Sequence, residues 1–279
     1  MKILALESSA TACSVALCED EALIAQSFQN NGLTHSRTLM PMAVSLLDNC
    51  GTALDAVELI AVAAGPGSFT GLRIGVAAAK GLAWPGNKPC AACSTLESMA
   101  WCLAHLDGEI CAVMDARRNQ VYNARFRAAG GRLERLCPDR AVGLDALADE
   151  LKKSGNPQFL VGDGALLCYT TLKELGLDIR LAPPHLRHQS AWGGCPVCTG
   201  ADQSGQADRR GRTDAQLPPA LPSGTGAAGK RTTQRGIVPW TWKKYTFWTT
   251  LCCSTSCPSC GMRTPELRTS VRWSQRSPR

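Results

Sequence analysis

No stretch of this 279-residue chain approaches the ~18 uninterrupted apolar residues of a membrane-crossing helix. The opening run Met1-Lys2-Ile3-Leu4-Ala5-Leu6-Glu7 lacks the long apolar middle of a secretory leader, and an acid cuts it short. Both absences point to a cytoplasmic protein with no membrane partner. Paired cysteines are missing too. The total of 15 is odd, and Cys13, Cys18, Cys50, Cys102, Cys111 and Cys168 stand singly among apolar residues, as small buried side chains do. No disulfide framework is expected.

Acidic residues are scarce towards the end. Residues 1–189 carry 17 Lys+Arg against 19 Asp+Glu, whereas residues 190–279 carry 13 against 4. The net charge of +7 therefore resides in the last third. Apolar periodicity also stops after Gln189, and five of the seven tryptophans lie from Trp192 onward. Two readings of this tail stay open. In one, Cys195-Pro196-Val197-Cys198 and Cys257-Pro258-Ser259-Cys260 form a four-thiolate zinc site in a nucleic-acid binder, across a long 58-residue spacer. In the other, the reading frame shifts near Gly193-Gly194. Read one nucleotide later, Cys-Pro-Val-Cys can encode Ala-Arg-Phe, and Leu221-Pro222-Ser223 can encode Tyr-Arg.

Before the tail, strands and helices alternate in a regular way. Lys2 to Leu6, Cys13 to Cys18 and Ala22 to Phe28 are three strands joined by short turns, an antiparallel meander. Thr34 or Ser36 caps a helix to Asn49, whose Leu39, Met42, Ala43, Leu46 and Leu47 repeat at the spacing of one buried face. Leu59 to Ala64 is a strand, Leu72 to Trp84 a helix, Cys90 to Cys93 a strand, and Ser94 or Thr95 caps a helix to His105. Ile110 to Met114, Gln120 to Arg127 and Arg132 to Leu136 form a second set of strands. Helix 144–153, strand 159–161 and helix 166–175 follow. The repeated layout suggests two similar α/β halves facing each other. The expected domains are 1–107, 108–189 and an irregular, disordered basic tail, 190–279.

Gly65-Pro66-Gly67-Ser68-Phe69-Thr70-Gly71-Leu72-Arg73-Ile74-Gly75 joins a strand to a helix. Strand, glycine loop and helix can aim free backbone N–H groups at an anion. The alternative is a turn that merely connects the two elements.

That string resembles the TsaB (YeaZ) family, together with Leu4-Ala5-Leu6-Glu7-Ser8-Ser9, Thr34-His35-Ser36, Asp115-Ala116-Arg117 and Val121-Tyr122. The resemblance covers residues 1–189. It implies the two-lobed fold of actin, Hsp70 and sugar kinases. It also implies a non-catalytic subunit for installing threonylcarbamoyl on adenosine beside the anticodon of ANN-decoding tRNAs. The implied partners are a catalytic TsaD-like paralogue, a TsaE-like ATPase and a second copy of the chain, with tRNA met through the complex.

Kinases of this fold place an Asp after the first strand for Mg²⁺ and phosphate, where this chain has Glu7, one methylene longer. The resemblance implies no required cofactor, and at most weak ATP or ADP binding at Glu7, Ser8, Ser9, Gly162, Asp163 and Gly164. The catalytic paralogue carries two metal-binding histidines four apart; His35 has Leu39 at that spacing, so no metal site is expected. Arg73 either holds a phosphate or partner carboxylate or braces its own loop, and Asp115 can pair with Arg117 across a turn. The implied partner surface is made by helices 36–49 and 72–84, with His35, Leu39, Gly65, Gly67, Ser68, Thr70, Gly71, Arg73, Gly75 and Ala78. Two rival functions remain: an ATP-dependent phosphotransferase of the same fold, and the zinc-dependent nucleic-acid binder. If the frame has shifted, the second lobe has lost its last helices, and Leu144, Leu147, Leu166 and Leu167 are partly uncovered.

Overall fold

The computed structural model describes residues 1–20 and 22–203. Cys257, Cys260, Leu221 to Ser223 and the rest of the tail beyond 203 lie outside the described residues. The first sheet opens with the expected meander, β1 (Lys2–Glu7), β2 (Cys13–Glu19) and β3 (Ala22–Gln29), paired antiparallel in succession. Helix α1 (His35–Asn49) leads to β4 (Leu59–Gly65), and α2 (Phe69–Ala83) leads to β5 (Cys90–Ser94). Both crossovers return a parallel strand, giving the order β3-β2-β1-β4-β5.

Alternation sorts these strands by face. Leu4, Leu6, Val15, Leu17, Ile60 and Val62 point to α1 and α2, where Leu39, Met42, Ala43, Leu46 and Leu47 meet them. Ile3, Ala5, Ala16, Leu59, Ala61 and Ala91 point the other way. These are mostly alanines, so whatever covers that face must come close.

The cover comes from the end of the described chain. Ala191–Gly193 is a 3-10 turn and α6 (Gly194–Gln203) is a helix. Ala191, Cys195 and Cys198 are buried against the alanine face beside Cys18 and Cys93. Residues 190–203 are expected to be irregular; 191–203 instead form this turn and helix, whose apolar side chains pack on the alanine face. The Cys195-Pro196-Val197-Cys198 thiols therefore serve as small core residues. The first lobe is built from both ends of the described chain.

After α3 (Thr95–Trp101), which is shorter than the expected helix to His105, the plan repeats. Strands β6 (Gly108–Arg117), β7 (Gln120–Ala129) and β8 (Arg132–Arg135) form a second meander. Then come β9 (Arg140–Gly143), α4 (Leu144–Ser154), β10 (Gln158–Val161), α5 (Ala165–Glu174) and β11 (Ile179–Leu181). The sheet order is β11-β10-β6-β7-β8, with β9 also paired to β7. Read from the meander outward, this is the order of the first sheet, with the same parallel and antiparallel senses. The fold is thus α/β and two-lobed. Helix α3 covers the inner face of the second sheet through Leu96, Met99 and Ala100, with Leu103 in the turn after it, and also touches α6. Helices α4 and α5 cover its outer face. Of the four leucines that a shifted frame would leave partly uncovered, Leu144 and Leu147 are buried under the second sheet, and Leu166 and Leu167 are exposed.

Two polar networks tie the second lobe together. The buried Glu109 carboxylate accepts from Arg125 Nη2 (2.6 Å), Ser154 Oγ (2.9 Å), Asn156 Nδ2 (2.8 Å) and Gln158 Nε2 (2.9 Å). Arg135 donates to Glu97 on α3 and to Asp139, each at 2.5 Å, and Ser94 Oγ donates to Asp139 (2.6 Å). The second network joins β8 and the loop after it to the start of the helix between the lobes. Among the described residues no helix is long and apolar enough to cross a membrane.

Candidate functional site

The glycine loop packs onto the Glu7-Ser8-Ser9 turn, and its glycines are there for that contact. A Cβ on Gly67 would sit 2.5 Å from the Ser9 carbonyl oxygen, and one on Gly71 would overlap the Ser8 carbonyl oxygen. A Cβ on Gly75 would lie 2.5 Å from Ser8 Oγ. Gly65, at φ +125°, needs its backbone freedom to leave β4. Three turns of helix and loop thus approach one hairpin at backbone distance.

Several of the amides that an anion would need are already engaged. Ser68 N–H donates to Ser9 O (2.6 Å), and Leu72 N–H to Ser68 O (2.9 Å). Gly71 N–H reaches the capping Ser68 Oγ (3.4 Å), and Ser8 Oγ donates to Gly71 O (2.9 Å). Ser9 N–H donates to the Glu7 carboxylate (2.6 Å). Satisfying these groups internally lets the turn be buried. Of the loop's two alternatives, this pairing favours the connecting turn over the open anion cradle.

Glu7 is 1% exposed. Burial pushes its carboxyl up to about 7, the Asp163 charge adds to the rise, and the Ser9 donors hold it back. Asp163 is raised as well, first by burial, while a hydrogen bond from Gln189 Nε2 (2.8 Å) opposes the shift. The second lobe's turn is closed in the same manner as the first. Gly162 presses on the Val113 carbonyl oxygen, where a Cβ would overlap it. Gly162 N–H donates to Arg187 O (2.8 Å), Gly164 N–H to Val113 O (3.3 Å) and Ala165 N–H to Gly162 O (3.1 Å). Loops that spend several of their amides internally and turns packed at backbone distance make a poor seat for a triphosphate.

The remaining candidates separate into inside and outside. His35 begins α1 and its Nε2–H donates to Ala10 O (2.6 Å), pinning helix to hairpin. Leu39 is 1% exposed in the core, so no partner reaches it. Ala78 is half-buried against the same core. Thr70 and Arg73 are exposed, and the Arg73 guanidinium lies 3.6 Å from the centroid of the Phe69 ring one turn away. Arg73 therefore braces its own helix. Asp115 does not pair with the Arg117 guanidinium; it accepts the Arg117 amide (2.7 Å).

Sequence reasoning missed Gln189, read as the edge of an irregular tail, and, although it placed a turn at 115–119 between β6 and β7, it missed that turn's backbone conformation. Arg117, Arg118 and Asn119 have φ of 65°, 52° and 60°, three successive left-handed residues without a glycine. Each costs roughly 1–2 kcal/mol relative to an ordinary conformation, least for Asn. Nothing in the pattern Asp-Ala-Arg-Arg-Asn announces that geometry.

Comparison with known proteins follows the same lines. A family model described as TsaD, tRNA N6-adenosine threonylcarbamoyltransferase, matches residues 29–161. The tRNA threonylcarbamoyladenosine biosynthesis protein TsaB of Bacillus subtilis is 40% identical over 162 residues, 58% of this chain and 71% of that protein. Its namesake in Escherichia coli is 38% identical over 129 residues, 46% of this chain and 55% of that protein. The solved structure of YeaZ from Pseudomonas aeruginosa superposes with a TM-score of 0.60 at 27% identity, covering 74% of this chain and 93% of that one. A second structure from the same organism, described as similar to peptidase YEAZ, gives 0.62 at 26% identity over 73% and 93%.

Proposed function

This chain belongs to the TsaB family, and from that premise we propose that it is a non-catalytic partner subunit in tRNA threonylcarbamoyladenosine biosynthesis. It holds a TsaD-like catalytic paralogue for transfer of threonylcarbamoyl to adenosine beside the anticodon of ANN-decoding tRNAs. A TsaE-like ATPase completes the assembly, and tRNA is met through the complex. One observation carries the reading: the turns that would cradle phosphate in each lobe spend their own amides on the fold. A lobe sealed in this way supplies shape to a neighbour rather than chemistry to a nucleotide.

The neighbour's seat is the outer side of α1 and α2, which touch each other. Val44 (50% exposed) and Met40 on α1 and Phe69 (54%) at the start of α2 present apolar surface to solvent. Burying such side chains in a partner returns about 1.5–3 kcal/mol each. A second copy of the chain can use the same face, so self-pairing and pairing with the paralogue compete.

The test is co-elution of the full chain with the TsaD-like protein of the same organism on size exclusion. We expect a stable complex, at least tenfold weakened by Val44→Glu with unfolding temperature unchanged. A chain that stays apart from that protein at micromolar concentration overturns the reading.

A further inference from the structure

We propose that the β6–β7 hairpin tip, through Arg117 and Arg118, grips the phosphate backbone of a nucleic acid lying across the rim of the cleft. The inference deepens the partner-subunit reading and rests on it for the identity of that nucleic acid, a tRNA.

Four observations converge on this tip. Both arginines are exposed, and neither guanidinium has a hydrogen-bond, ion-pair or aromatic partner among the described residues. Their backbone stands in the left-handed region through three residues, where Asn-Gly would be the undemanding choice for a tight hairpin. A conformation held against its preference marks a place where the side chains matter. The tip is also rigidly mounted: the Asp115 carboxylate accepts the Arg117 amide (2.7 Å), and Asn119 O accepts from Leu144 N–H at the head of α4 (3.3 Å). Two guanidiniums are therefore presented from a fixed platform, with little ordering left to be done on binding.

The internal symmetry of the fold sharpens the point. The β1–β2 hairpin occupies the equivalent place in the first lobe, and its tip is small, sealed and uncharged from Ser8 to Ala12. Only the second-lobe tip is cationic. Its chemistry also selects the kind of ligand. Arginine's planar fork suits phosphate oxygens bidentately. Behind the tip, Asp115 lies close enough to Asp163, and Asp163 to the buried Glu7, for their charges to act on one another, and several of the turn amides are already paired. A free nucleotide would have to push its phosphates towards those carboxyls. A polymer can keep its phosphates at the rim.

The experiment measures binding of fluorescein-labelled, ANN-decoding tRNA by anisotropy between 50 and ~200 mM salt, with the full chain alone and in its reconstituted complex. The double variant Arg117→Ala/Arg118→Ala should bind roughly tenfold more weakly at low salt, with the log–log salt slope flattened by roughly 1.5. Asn119→Gly keeps the charges and relaxes the turn, and should bind like the parent. Complex formation is scored first by size exclusion, so failure of the partner reading is seen separately. The chain alone still reports on the hairpin, because the basic tail is common to every variant. Unchanged affinity and slope in the double variant overturn the proposal, as does competition by free ATP as strong as that by unlabelled tRNA.

Discussion

The two lobes share one strand order and one pattern of crossovers, yet they are held together by different physics. In the first, backbone lies on backbone: Gly67, Gly71 and Gly75 let the loop and α2 press on Ser8 and Ser9, and alanines let α6 settle on the far face. In the second, Gly162 makes the same close approach to Val113, and buried ions are added to it, through Glu109 with its four donors and Arg135 with Glu97 and Asp139. Topology fixes where hairpin and glycine turn meet. In both lobes glycine makes that meeting, Gly71 on Ser8 and Gly162 on Val113, and the difference lies in how the rest of each lobe is joined. The first solution is intolerant of added atoms and the second of lost charge.

The largest effect should come from Gly71→Ala, whose methyl overlaps the Ser8 carbonyl oxygen. Neither backbone can yield without breaking the turn, so we expect a loss of about 4 kcal/mol. Thermal unfolding or the soluble yield would register it. A variant as stable as the parent would break the contrast between the lobes.

Glu109→Gln tests the second lobe and should cost about 3 kcal/mol at pH 7, because four donors lose a carboxylate. The pH dependence has a definite sign. Burial alone would raise the Glu109 pKa, but its donors outweigh that and hold it at about 2, below the usual 4.5. A depressed folded-state pKa gives stability that is present above ~4.5 and lost as pH falls towards 2. The difference between parent and Glu109→Gln should therefore narrow in acid.

Glu7 runs in the opposite sense. Its carboxyl is raised to about 7, so the folded state favours the protonated form. The contribution is full below ~4.5 and is lost as pH rises through 7. Glu7→Gln keeps an acceptor for the Ser9 amide and removes the charge. It should gain roughly 2 kcal/mol at pH 8 and nothing at pH 4.5. A loss at pH 8 would mean that the carboxylate is needed in its charged form. The smallest effect is Gly81→Ala in α2, where a Cβ meets nothing within 4 Å. It should add about 0.5–1 kcal/mol, in contrast to Gly71 ten residues earlier.

Much of the fold was legible in the sequence. The spacing of Leu39, Met42, Ala43, Leu46 and Leu47 is the buried stripe of α1, and the two meanders stand where alternation puts them. Short strands such as β9 and β11 carried too few residues to show a period. The cover of the alanine face was hidden for a different reason: a helix written Gly-Cys-Pro-Val-Cys looks like a metal motif, and only the face it lands on makes it a core element. The residues of the site were legible and their use was not. A glycine that admits a ligand and one that admits a neighbouring carbonyl are the same letter. Ser8 and Ser9, far along the chain from the Gly71 and Ser68 they bond, decide between the two.

The central claim is that both phosphate turns are closed by the fold. Its most direct measurement is steady-state ATP turnover by the full-length chain alone, run beside Asp163→Ala. The account predicts a rate at the buffer background, the same for both proteins. Turnover well above background that disappears in Asp163→Ala would contradict it.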